Sequence, residues 1–239
     1  ISTTGDPENF GDLTRQSSLL GACSSRTRGL WGGDYPSAGN VIDFVTISSQ
    51  GNAQDFGDMT DARYNLTGFG NRTRGLFAGG HDPAYLNVID FVTIASTGNA
   101  NDFGDMVQKG HGPVGTASPT RGLIFGGYSD SDSSRINVIQ FVTISTTGNT
   151  SDFGDLPVTL MNHCGASNAI RAISAGGSAP SLSDDINIFT MATLGNAVFF
   201  GDLSIARQVP GAASSPQRFV AMGGITPTYQ DVIEYVQFS

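Results

Sequence analysis

Apolar residues recur along this chain in short runs at strand spacing. The clearest are Val41–Ile47, the identical run Val88–Ile94 and the near-identical Val138–Ile144. β-Branched and aromatic residues fill both alternating faces of these runs, which predicts strands buried on both sides. Three other runs accompany each one. A small-residue run such as Leu19–Ser25 comes first, and a second goes from an arginine to a double glycine, as at Arg74–Gly80. A short run around Asp55–Met59 comes last, after turn-forming Gly-Asn steps. No stretch shows helical apolar spacing, so four short strands per unit are expected.

The units repeat. Phe-Gly-Asp stands at Phe10–Asp12, Phe56–Asp58, Phe103–Asp105, Phe153–Asp155 and Phe200–Asp202. Gly-Gly recurs in the same rhythm at Gly32-Gly33, Gly79-Gly80, Gly126-Gly127, Gly176-Gly177 and Gly223-Gly224. Self-similarity at this period outranks any local reading. Four strands per unit of about 47 residues, with both faces apolar, is the pattern of a β-propeller blade. The expectation is all-β, a single five-bladed propeller over 1–239, with four-stranded antiparallel blades at about 15–60, 61–107, 108–157, 158–204, and 205–239 plus 1–14. The N-terminal strand would complete the C-terminal blade and remove an open edge.

Composition narrows the function. The 239 residues include 32 Gly and only 14% charged residues, and the net charge is −9. Twelve Lys and Arg against twenty-one Asp and Glu leave no basic stripe for nucleic acid. No apolar run approaches the ~20 residues of a membrane span, and the opening Ile1–Phe10 lacks the pattern of a signal peptide. Two cysteines, Cys23 and Cys164, are expected as free buried thiols.

The order of arginine, apolar strand, double glycine, loop, aromatic strand and turn resembles the kelch repeat over the whole chain. The family's third-strand aromatic maps onto Phe44, Phe91, Phe141 and Tyr235, with Ile188 departing from it. Its fourth-strand Trp is replaced by Phe10, Phe56, Phe103, Phe153 and Phe200. Kelch propellers usually have six or seven blades, so five is also a departure. The wording of the repeats further resembles structural and tail-fibre proteins of tailed-phage virions, marine ones especially. That resemblance implies a virion or an extracellular appendage as the location.

Residues that recur in every unit are expected to build the scaffold. Five aspartates each stand sixteen residues before an arginine, and they are expected to meet as structural pairs: Asp12 with Arg28, Asp58 with Arg74, Asp105 with Arg121, Asp155 with Arg171 and Asp202 with Arg218. The Asp-x-x-Asp steps at Asp55, Asp102 and Asp152 raise calcium, but the pattern fails at Asn9 and Phe199, so no metal and no cofactor is expected. His81, His111 and His163 fall in different units without metal-ligand spacing. Trp31 stands where other units have Ala78, Phe125 or Ala175, and is read as core.

The informative residues are those that differ between units. They fall in the loops joining second to third strands: Tyr35, His81, Tyr85, the long 128–136 loop with Tyr128, Asp130, Asp132 and Arg135, and Tyr229. Arg15, Arg63, Lys109 and Arg207 lie in the loops expected on the same face. Rigid scaffolds carry function on such loops. The expectation is a non-enzymatic binding module that attaches to a host-surface glycan or protein. A protein-docking scaffold within an assembly is the alternative, and a propeller glycosidase would need a converging carboxylate pair.

Overall fold

The computed structural model describes residues 7–238, which form an all-β array with no helix among them. Five antiparallel sheets follow the five sequence units. The first contains Gly21–Ser24, Arg28–Gly32, Gly39–Thr46 and Gln54–Arg63, each pairing with the next. The second contains Thr67–Gly70, Arg74–Ala78, Val88–Thr93 and Asn101–Asp105. The third contains Val114–Ala117, Arg121–Phe125, Val138–Thr143 and Ser151–Asp155. The fourth contains Cys164–Ser167, Arg171–Ala175, Asp185–Thr190 and Val198–Asp202. The fifth has three strands, Gly211–Ser214, Arg218–Met222 and Ile233–Gln237. A further three-stranded sheet and two small hairpins lie in the connecting loops.

Consecutive sheets pack face to face, with their small-residue first strands touching. The core therefore lies between sheets. Leu30, Ile42, Phe44 and Phe56 of the first sheet meet Phe77, Val92 and Ile94 of the second. Leu76, Ile89 and Phe103 of the second meet Ile124, Val142 and Ile144 of the third. Each fully buried side chain of this kind contributes about 1.5–3 kcal/mol. A strand sandwiched this way needs apolar residues on both faces, which is why the third strands lack ordinary alternation.

The Phe-Gly-Asp motif links one unit to the next. Its Phe is buried at positions 56, 103 and 153. Its glycine has φ of +143° at Gly57, and a Cβ there would come within 2.5 Å of the Gly98 backbone. Position 57 needs glycine for that approach. The flanking carbonyls of Phe56 and Asp58 accept from the N–H groups of Gly98 and Ala100. The Asn99 side chain then accepts from the Asp58 N–H. The N-terminal segment repeats this on the first sheet, where Phe10 and Asp12 accept from Gly51 and Ala53.

A second repeated link is polar. The third strands carry Asp43, Asp90, Gln140, Asn187 and Glu234 at one ladder position. Thr14 and Thr60 each donate a backbone N–H and a hydroxyl to Asp43 and Asp90. The Val107 N–H donates to Gln140 and the Ser204 N–H to Glu234. The fourth link is missing because Pro157, which has no N–H, stands at the donor position. Asn187 is accordingly buried without a partner among the described residues.

Several sequence expectations are corrected. No ion pair joins the Asp and Arg of the sixteen-residue spacing among the described residues. Arg28, Arg74, Arg121 and Arg218 instead stack on Phe44, Phe91, Phe141 and Tyr235. Arg28, Arg74 and Arg121 also donate to the carbonyls of Ile94, Ile144 and Met191 in the following sheets. An aromatic face and a carbonyl thus hold the charge that a carboxylate was expected to hold. Asp12, Asp58, Asp105 and Asp155 serve instead through their backbone, in the links just described. The ion pairs that do form are Arg15 with Asp34 and Asp43, Arg63 with Asp90, and Arg207 with Glu234. Arg63 and Arg207 are therefore fully buried and not on the rim, each paired with a third-strand carboxylate, the buried Asp90 and the partly exposed Glu234. The first double glycine is shifted by one: Gly32 lies in the strand opposite Ile42, as Ala78 lies opposite Ile89. Trp31 corresponds to Phe77, not to Ala78. It is half-buried and, with Phe10, Leu13, Val45 and Ile47, lines a cavity on the outer face of the first sheet.

The closing strand expected over 1–14 falls partly outside the described residues, at 1–6. Within them, residues 7–14 form no strand and make no backbone hydrogen bond to Ile233–Gln237.

Candidate functional site

A second, smaller structural repeat positions the loop residues. In each later unit the loop after the second strand folds back as a short hairpin and bridges to the connection from the preceding sheet. His81 bridges Tyr64 and Tyr85. Tyr128 pairs with both His111 and Arg135. Gly79 and Gly80, at φ +68° and +113°, make the turn out of the strand that allows this. The scaffold thus fixes where these side chains stand, and the variable sequence fixes what they are.

In the first three units they are aromatic. Tyr35, Tyr64, His81, Tyr85, His111 and Tyr128 form one unbroken strip. Successive ring centroids are 5.1, 5.3, 4.9, 4.9 and 5.7 Å apart. Tyr85 lies nearly parallel to His111, at 7° between planes. Tyr35 is exposed and the other five rings are half-buried, so all six remain partly open to solvent. The Tyr64 hydroxyl is 2.8 Å from His81 Nδ1. Asn65 Nδ2 is 2.6 Å from His111 Nδ1. With that amide donating, His111 carries its proton on Nε2. Burial, and then the neighbouring His81, hold the His111 imidazole below its ordinary pKa.

Four of the eight expected loop residues come together here: Tyr35, His81, Tyr85 and Tyr128. Asp130 and Asp132 are exposed at the tip of the loop beyond Tyr128, and Gln108 donates to Asp132. Arg135 pairs across from Tyr128, with its Nε buried and unpartnered among the described residues. Tyr229 matches Tyr85 in position but stands alone on the fifth unit, 87% exposed. Tyr64 and His111 complete the strip and were not singled out as site residues. The signal was available, because both fall just after the outer strands, in the loops expected on this face.

The Asp-x-x-Asp carboxylates are used locally. Asp55 and Asp102 accept from the N–H groups of Gly57 and Gly104. Asn9 does the same for Gly11, so the position requires an acceptor and not a charge. Asp184, Asp185 and Asp202 approach one another elsewhere. Burial, and then its two acidic neighbours, raise the Asp185 carboxyl above its ordinary value. Cys23 and Cys164 are both free and buried, and burial pushes each thiol up to about 12. No protein-family model matches the chain, and no curated protein is significantly similar to it.

Proposed function

We propose that this chain is a five-bladed, kelch-like propeller that serves as a non-enzymatic attachment module of a tailed-phage virion or tail fibre, and that its aromatic strip binds a host-surface glycan. The observation that carries the binding reading is the strip itself. Six neighbouring rings with hydroxyl and imidazole tips offer flat faces for sugar C–H surfaces and polar groups for sugar hydroxyls. Tyrosine supplies such area at low entropic cost. The strip lies on loops that vary between units, while the repeated residues are engaged in linking the sheets. The phage setting rests on the wording of the repeats.

The closed ring is part of the proposal. The outer face of the first sheet shows Trp31, Val45 and Ile47, and the opposite face of the fifth shows Ile233 and Tyr235. The equivalent residues of the second sheet, Phe77, Val92 and Ile94, are buried against the first. Packing the fifth sheet on the first would bury the remaining pair of faces in the same way.

A glycan array tests the binding reading. Wild-type protein is expected to bind a restricted set of glycans, and Tyr85→Ala/Tyr128→Ala to bind the same set at least ten-fold more weakly. The variant's far-ultraviolet circular dichroism should be unchanged. Capture of host cells without binding to any glycan would transfer the proposal to a protein receptor. Equal binding by the folded variant would refute a role for the strip.

A further inference from the structure

The hairpins joining first to second strands lie at the opposite end of the second strands from the aromatic strip. All five converge on one cavity of about 420 Å³. The five hairpins share one construction. Ser25, Asn71, Ser118, Asn168 and Ser215 each accept, through a side-chain oxygen, the N–H of the arginine that starts the next strand. This capping fixes each tip. Neighbouring tips are also tied together, since Asn71 donates to the Pro119 carbonyl and Asn168 to the Pro216 carbonyl. The cavity wall is therefore held in place without a ligand.

The residue after each cap differs between units: Arg26, Arg72, Pro119, Ala169 and Pro216. Two adjacent tips are cationic and three are apolar. The next arginine in each cationic hairpin, Arg28 or Arg74, is occupied by a ring and a carbonyl. Arg26 and Arg72 make no hydrogen bond or ion pair among the described residues. No carboxylate lines the cavity, although acidic residues outnumber basic ones by 21 to 12. In so acidic a chain, two uncompensated guanidinium groups at one cavity form a local positive field.

We infer that this cavity mouth is a second binding site, for an acidic saccharide whose carboxylate or sulfate is held by Arg26 and Arg72. A guanidinium presents paired donors that match such a group. Pro119 and Pro216 offer apolar surface to the C–H face of a sugar ring. The volume suits a ligand of one or two sugar units. The inference does not depend on the aromatic strip, which lies on the other face.

The test is a ¹⁵N-edited NMR titration of the whole chain with glucuronic acid and with glucose 6-sulfate, using glucose and sodium sulfate as controls. Both acidic sugars are expected to shift the backbone signals of 24–26, 70–72 and 118–119, with affinity falling as salt rises. Arg26→Gln/Arg72→Gln, changed only at exposed tips, should weaken them at least ten-fold and leave the remaining spectrum in place. A preference for one acidic sugar would identify the anionic group. The inference is overturned if neither acidic sugar shifts these signals. It is equally overturned if the double variant binds as well as wild type, or if sodium sulfate binds as tightly as the sugars, which would mark a general anion site.

Discussion

Asp90 and Asn187 hold one ladder position in two sheets and have opposite fates. Asp90 is fully buried, 2.8 Å from Arg63, and accepts from Thr60 twice. Asn187 is equally buried beside Pro157 and finds no partner among the described residues. The same change should therefore act in opposite directions. Asp90→Val leaves Arg63 buried and unpaired, and should cost about 3–5 kcal/mol in urea unfolding. Asn187→Val removes an unsatisfied amide, and should be neutral or stabilising by about 1 kcal/mol. Equal losses at both positions would refute the polar link. His163 supplies a pH test. Burial holds its imidazole down to about 4. Its folded pKa lies below the unfolded value of about 6.5, so the unfolded state takes up the proton first. Its contribution is complete above about pH 6.5 and is lost as pH falls toward 4, amounting to roughly 3 kcal/mol. His163→Phe, compared with wild type by urea unfolding at pH 7 and pH 4, should lose less stability over that interval. These fates were only partly legible in the sequence. Pro157 announces a missing donor, but the partner of that donor lies thirty residues away in another sheet.

Between neighbouring sheets the decisive feature is the close approach of two glycines. Gly57 and Gly98 meet with no room for a Cβ on Gly57, whereas Gly201 has no atom within 4 Å of where its Cβ would stand. Gly57→Ala should therefore cost about 2 kcal/mol or more, through both strain and collision. Gly201→Ala should stay within about 0.5 kcal/mol. Thermal unfolding of the two variants checks this, and similar losses would contradict a special requirement for glycine at position 57. At this scale the sequence was most informative. The recurrence of Phe-Gly-Asp and of the β-branched runs placed all four strand types, since strand burial on both faces writes itself directly into residue choice. It was least informative about partners. The sixteen-residue Asp-to-Arg spacing is regular because both residues recur in each unit, and a shared period carries no information about contact. The first double glycine misled for a related reason. A one-residue shift in a glycine pair is invisible until the ladder fixes which residue lies opposite Ile42.

Across the whole molecule, the proposal turns on two surfaces. Ring closure would bring the first strand of the fifth sheet beside that of the first. Within the chain, a Cβ on Gly75 of the second sheet would meet the Cys23 sulfur of the first. By the ladders, Ala213 of the fifth sheet holds the place of Cys23 and Gly29 of the first holds that of Gly75. Cysteines introduced by Ala213→Cys and Gly29→Cys should therefore join within one chain on mild oxidation, as judged by mass and mobility. Cross-linked dimers in place of that product would contradict closure. The aromatic strip was half legible. Its tyrosines stand out as differences between units, but only the stacking of one unit's loop against the next connection brings Tyr64 and His111 among them. The three histidines allow a direct test of the strip as the binding surface. His81 and His111 lie within it, and His163 is buried elsewhere. The measurement is an imidazole ¹H–¹⁵N NMR titration with the glycan bound most strongly on the array. The account predicts that the His81 and His111 signals move together and saturate while His163 stays fixed. Saturable binding that leaves both strip histidines unmoved would contradict it.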